Sequence, residues 1–236
     1  MTETILIQAR DVTKIYHTGK IESPALRGVT LDIMAGDFMT IVGPSGSGKT
    51  TFLNLVGALD TPSGGELTVF GKNMADMTKQ QRARLRLHEL GFVFQSYNLL
   101  PVLTARENVE FVLELQGVGK ERSVRAHDIL AQLGLAKYAD RRPNALSGGQ
   151  QQRVAVARAV VSHPRLVLAD EPTANLDGEN AEMLIEMMRT LNREHGITFV
   201  FSTHDLRVVR HANRIVTLED GTVRKDETGH PPEPLC

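Results

Sequence analysis

Eight consecutive residues constrain this chain more than any other stretch: Gly43-Pro44-Ser45-Gly46-Ser47-Gly48-Lys49-Thr50. An apolar, β-branched run (38–42) precedes them, and 49–59 follows with Phe52, Leu53, Val56 and Leu59 at helical spacing. A glycine-rich turn between strand and helix lets successive backbone N–H groups point inward, at the positive end of a helix dipole. Phosphate oxygens fit such a cradle. Lys49 adds a mobile cation for the β- and γ-phosphates, and the Thr50 hydroxyl is the small hard ligand that magnesium takes. The loop, with Thr51 just beyond it, is expected to bind a nucleotide.

The rest of the pattern supplies a sheet to carry the loop. Short strands are expected at 30–33, 38–42 and 67–70, each bounded by turn residues. The middle, 96–161, reads as mostly helical; 107–115 and 124–133 are amphipathic, and Gly134 is placed to stop the second. In the last third, strands at 166–169, 197–202 and 215–218 alternate with helices at 179–195 and 205–212. Asp220-Gly221 then turns the chain into a hairpin strand at 222–224. Strand–helix–strand alternation implies a parallel sheet with right-handed crossovers.

Leu166-Val167-Leu168-Ala169-Asp170-Glu171 is an apolar strand ending in two acids, and ligands of parallel sheets bind at the carboxyl ends of strands. Asp170 can hold magnesium through water, and Glu171, directed to the other side, can orient or deprotonate an attacking water. Together with the phosphate loop, the pair points to nucleoside-triphosphate hydrolysis. Leu146-Ser147-Gly148-Gly149-Gln150 opens a helix expected over 151–162. Its start offers N–H groups, a hydroxyl and a helix dipole, which is a second anion site or simply a serine-capped helix. One nucleotide does not need two such sites from one chain, so the second would serve a nucleotide on another copy.

Composition narrows the partners. The chain has 27 Lys and Arg against 28 Asp and Glu, without the basic excess of a dedicated nucleic-acid binder. A lone cysteine, Cys236, excludes an intramolecular disulfide and suits a reducing compartment. The longest apolar runs fall short of the roughly 20 residues a membrane helix needs, and 1–10 lacks a signal-peptide core. A soluble, cytosolic chain is expected. The one local basic run, Lys79, Arg82, Arg84 and Arg86, reads as a solvated helix face.

The order phosphate loop, Gln95, Leu146 to Gln150, Asp170-Glu171, Asp177 and His204 resembles the ATP-binding subunit of ABC transporters over about 5–224. That resemblance implies an α/β fold: a P-loop NTPase core with a parallel sheet, an N-terminal antiparallel β subdomain and an inserted helical subdomain at about 96–161. Residues 1–228 would form the ATP-binding domain, and the proline-rich 229–236 a frayed tail. By resemblance, Tyr16 stacks on adenine and Gln95 touches magnesium and senses the membrane partner. Asp177 lies in the loop that crosses to the other subunit, and His204 contacts the γ-phosphate. Two copies would close head to tail on two ATP, with Ser147, Gly148, Gly149 and Gln150 acting on the partner's nucleotide. The implied catalytic set is Glu171, His204, Gln95 and Lys49; the implied magnesium ligands are Thr50, Gln95 and Asp170.

Local strings resemble the lipoprotein-release and macrolide-export branch: Tyr97-Asn98-Leu99-Leu100-Pro101, Leu103-Thr104-Ala105-Arg106-Glu107-Asn108-Val109, and Asp170-Glu171-Pro172-Thr173-Ala174-Asn175-Leu176-Asp177. The resemblance implies a separate transmembrane permease, with or without a periplasmic partner, and a peripheral place on the cytoplasmic face of the inner membrane. The alternative is an ATP-gated regulatory or scaffolding subunit of a cell-envelope complex. An ABC-type ATPase acting on DNA or ribosomes would need a coiled-coil insertion or tandem cassettes, and neither is in the sequence.

Overall fold

The structure is a computed structural model that describes residues 4–19 and 21–229. The expected tail beyond Gly229, Cys236 included, lies outside the described residues. In chain order the elements begin with β1 (Ile5–Thr18), β2 (Ile21–Met34), β3 (Phe38–Val42) and α1 (Lys49–Val56). Next come β4 (Gly64–Val69), β5 (Lys72–Asn73), α2 (Lys79–Glu89) and β6 (Leu90–Phe94). Three helices follow, α3 (Ala105–Leu115), α4 (Glu121–Gln132) and α5 (Gly148–Val160). The chain closes with β7 (Leu166–Asp170), α6 (Gly178–His195), β8 (Thr198–Ser202), α7 (Leu206–His211), β9 (Arg214–Glu219) and β10 (Thr222–Thr228).

Two sheets result. The first is antiparallel, ordered β2-β1-β4-β5, and the second is ordered β10-β9-β3-β8-β7-β6. In the second sheet β9, β3, β8, β7 and β6 run parallel, and only the edge strand β10 is antiparallel. Parallel strands covered on both faces should be apolar throughout, and β3, β7 and β8 are buried almost end to end. Alternate residues enter different cores. Phe38, Val167, Ala169, Phe199 and Phe201 pack with residues of α3 to α6. Met39, Ile41, Leu166, Leu168 and Val200 pack with Phe52, Leu53, Leu55 and Val56 of α1 and with the antiparallel sheet. Each fully buried side chain of this size contributes about 1.5–3 kcal/mol.

The long β1–β2 hairpin departs most from the sequence reading, which singled out only 30–33 within it. Its register shifts between Ala9 and Val12, again at Thr13 and at Ile15, and Asp11 adopts φ 49°. Bulges of this kind interrupt the period-two alternation by which a strand is recognised. The strand β6 was likewise not expected. The basic run lies on α2, whose one buried residue is Leu85; Arg82 and Arg86 donate to the carbonyls of Met77 and Ala58. Among the described residues no helix is long and apolar enough to cross a membrane.

The order of strands positions the site. β8 lies between β3 and β7, and Ser202 pairs with Ile41 on one side and Asp170 on the other. Asp170 in turn pairs with Phe94 of β6. The segments leaving β3, β8, β7 and β6 therefore emerge side by side along one carboxyl edge.

Candidate functional site

Those four segments line a cleft of about 690 Å³. Its walls are the whole loop from Gly43 to Thr51, Gln95, Asp170, Glu171, Ser202 and His204, together with Ala25 and Ala174. The loop needs glycine where it turns. Gly43 has φ +152°, and a Cβ there would stand 2.0 Å from the Leu218 carbonyl oxygen. At Gly48 (φ +102°) a Cβ would meet the Ala25 carbonyl oxygen at 2.6 Å. No side chain caps α1 at its start, so the N–H groups of its first turn face the cleft with the favourable end of the helix dipole. Lys49 Nζ donates to the carbonyls of Gly43 (2.8 Å) and Pro44 (3.0 Å), which holds the ammonium over the loop.

Across the cleft, Thr50 Oγ1 donates to Asp170, 3.0 Å from Oδ2. The next residue, Glu171, adopts φ 47°, a left-handed conformation that costs a non-glycine residue about 1–2 kcal/mol. Three contacts hold it there. The Glu171 N–H donates to the Ser202 carbonyl (2.8 Å), Thr203 Oγ1 donates to Oε2 (2.8 Å), and His204 Nδ1 lies 2.7 Å from Oε1. Behind them, Asp205 caps α7 and accepts from Thr173 Oγ1 and from the Arg207 guanidinium. Burial opposes the charge on Asp205, but the bonds from Arg207 and Thr173 outweigh it and bring its carboxyl down to about 2.

Gln95 reaches the cleft from β6, and its backbone carbonyl accepts from Asn175 Nδ2 at 2.9 Å. The following Tyr97 and Asn98 are both left-handed, and their carbonyls accept from the Arg158 guanidinium of α5. Tyr16 stands apart. It is not among the residues that line the cleft; its hydroxyl is 3.3 Å from Asp60 Oδ2, and Lys14 Nζ sits 5.0 Å from its ring centroid.

Ser147, Gly148, Gly149 and Gln150 are also absent from the cleft lining. They start α5 with a reciprocal capping box: Ser147 Oγ accepts from the Gln150 N–H (3.3 Å), and Gln150 Oε1 accepts from the Ser147 N–H (3.0 Å). The Ser147 hydroxyl proton has no acceptor among the described residues. Gly149 lies against Asn180, whose Oδ1 would be 2.9 Å from a Cβ there. Asn180 in turn donates through its backbone, then its side chain, to Asp177, which holds that carboxyl below its ordinary value. Sequence reasoning missed Gln152, fully buried on α5, which donates from Nε2 to the Pro172 carbonyl at 2.7 Å. It ties the second helix start to the residue after Glu171. Thr173 and Thr203, both buried, were missed too, because the fold sets their burial and no local sequence signal marks it.

Residues 26–174 match the ABC transporter family. Over 220 residues the chain is 45% identical to the lipoprotein-releasing system ATP-binding protein LolD 1 of Caulobacter vibrioides, covering 92% of this chain and 94% of that one. It is 44% identical over 224 residues to the macrolide export ATP-binding/permease protein MacB of Syntrophobacter fumaroxidans, covering 94% of this chain but 31% of that protein. The chain thus spans about a third of that MacB relative's length. The dimeric, post-hydrolysis structure of the ATP-binding cassette MJ0796 bound to ADP and Pi superposes with a TM-score of 0.87 at 43% identity, covering 94% of this chain and 98% of that one; that cassette is from Methanocaldococcus jannaschii. A glycine loop under an uncapped helix, a carboxylate pair on the second strand over, and the near end-to-end matches to LolD 1 and to the MJ0796 cassette agree, and the chain belongs to the ABC transporter family as one of its ATP-binding cassettes.

Proposed function

We propose that the chain hydrolyses ATP within a head-to-tail pair of copies, and that closing and reopening of the pair drives a separate transmembrane permease. The observation that carries this reading is the division of the chain's two helix starts. Lys49, Thr50, Asp170, Glu171, Gln95 and His204 share one cleft, whereas Ser147 to Gln150 lie outside it. A hydroxyl, a carboxylate and an amide oxygen are the hard donors that suit magnesium, so Thr50, Asp170 and Gln95 would hold the ion, which when bound offsets phosphate charge. The loop N–H groups and Lys49 bind the phosphates. Glu171, held by Thr203 and His204, orients and deprotonates the attacking water, and His204 carries the γ-phosphate contact.

Ser147, Gly149 and Gln150 serve the γ-phosphate of the partner's nucleotide, with Asp177 at the crossing, and Tyr16 supports the adenine. The γ-phosphate then bridges two subunits, and its loss removes the bridge. In this reading 1–228 is one ATP-binding domain with its helical subdomain at 96–161. The names of the relatives support export or lipoprotein release as the output; mechanical transmission would use the same closing motion, and the chain would sit peripherally on the cytoplasmic face of the inner membrane. The Glu171→Gln variant tests the chemistry. ATP binding should persist, turnover should fall about 10²- to 10⁴-fold, and ATP should accumulate a dimer on size exclusion. Turnover at the wild-type rate would refute the role of Glu171.

A further inference from the structure

Ser202 ends β8, a strand that reads Thr-Phe-Val-Phe-Ser and is buried along its whole length. Its residue is 1% exposed, and its Oγ has no hydrogen-bond partner among the described residues. A buried hydroxyl without a partner is destabilising, whereas alanine in the same place would carry no such cost. The direction of the side chain follows from register. Ser202 is directly opposite Asp170 in the β7–β8 ladder and opposite Ile41 in the β3–β8 ladder. Paired residues in a sheet present their side chains on the same face. That face is the one covered by α1: Ile41, Leu168 and Val200 share it and pack with Phe52 and Leu53. The start of α1 carries Thr50, whose hydroxyl reaches Asp170 at 3.0 Å, and Ser202 is part of the lining of the same cleft.

We infer that Ser202 is a further positioning residue of the metal–nucleotide site. Its hydroxyl holds a water molecule that belongs to the hydration shell of the divalent cation beside Thr50 and Asp170. Magnesium keeps several waters when bound through one or two protein oxygens, so a hydroxyl on the cleft floor has a partner to hold only when cation and nucleotide are present together. The inference rests on the reading of the cleft as a site for magnesium–nucleotide.

The test measures metal affinity rather than turnover. Mn²⁺ is titrated into the full chain with saturating ADP, free Mn²⁺ is followed by electron paramagnetic resonance, and ADP binding is measured separately in EDTA. Ser202→Ala should weaken Mn²⁺ binding about three- to tenfold, the worth of one hydrogen bond, and leave metal-free ADP affinity within about twofold. Unchanged Mn²⁺ affinity would overturn the inference while leaving the cleft's reading intact. Loss of metal-free ADP binding would overturn it in favour of a purely structural serine. Failure of the wild-type chain to bind Mn²⁺ with ADP would remove the underlying reading and the inference with it.

Discussion

The starts of α1 and α5 are both glycine-rich, and both put backbone N–H groups and a hydroxyl at the positive end of a helix, yet the chain finishes them differently. At α1 no side chain supplies a cap, the loop curls through Gly43 and Gly48, and Lys49, Thr50 and the carboxyl edge of the sheet enclose the site. At α5 the chain caps itself through Ser147 and Gln150, and its supports include the Tyr97 hydroxyl against Gly148, Asn180 against Gly149 and, a turn further on, Gln152. The first is built to surround an anion from within one chain. The second is a finished surface whose exposed Ser147 hydroxyl donates to no group among the described residues, suited to an anion that another molecule brings. The same local motif acquires different chemistry from what the sheet places opposite it.

Substitutions should separate the two starts. The largest effect belongs to the first. Lys49→Ala removes the cation that the loop carbonyls hold in place. Its ATP affinity should fall about tenfold to a hundredfold, because a charge-assisted bond is lost. Equilibrium binding of a fluorescent ATP analogue to single chains would measure this; unchanged affinity would contradict the role of the loop. At the second start, Ser147→Asp keeps a good helix cap and adds a negative charge. Nucleotide affinity of the single chain and thermal stability should stay close to wild type, while turnover and ATP-dependent association should drop about tenfold or more. A parallel loss of single-chain affinity would show that Ser147 serves its own nucleotide.

A smaller effect lies behind Glu171. The Asp205 carboxyl titrates near 3.8 in the ordinary case and at about 2 here, so its bonds to Arg207 and Thr173 stabilise the native state above about pH 4. That contribution is lost as pH falls from about 4 towards 2. Asp205→Asn should cost about 1 kcal/mol at neutral pH once solvent screening is allowed for, and the gap to wild type should close below pH 3 in denaturant titrations. A gap that stayed constant with pH would assign the effect to packing instead.

Much of the first start was legible in the sequence because its parts are contiguous: a strand, eight loop residues and a helix. The last third was legible for the same reason, since β7, α6 and β8 alternate cleanly. The β1–β2 hairpin was not, because its bulges at Asp11 and beyond erase the alternation. Helix limits shifted by a few residues where caps decide them: α3 begins at the Thr104 capping box, and α1 stops at Val56, before a turn through Ala58 at φ 53°. Nothing local marks Ser202 or Gln152. Ser202 gains meaning from its register with Asp170, and Gln152 from a carbonyl twenty residues on. Tyr16, expected at the adenine, is placed on β1 outside the cleft lining, beside Lys14 and Asp60.

The central claim is that the two helix starts of one chain serve different nucleotides, and mixing two defective chains tests it directly. Lys49→Ala keeps an intact α5 start, and Ser147→Asp keeps an intact phosphate loop. If the pair is head to tail, a mixed dimer assembles one complete site from the two sound halves, and ATP turnover of the mixture should rise well above the sum of the two variants measured alone. Turnover equal to that sum at every mixing ratio would mean that each chain completes its own site, and would contradict the claim.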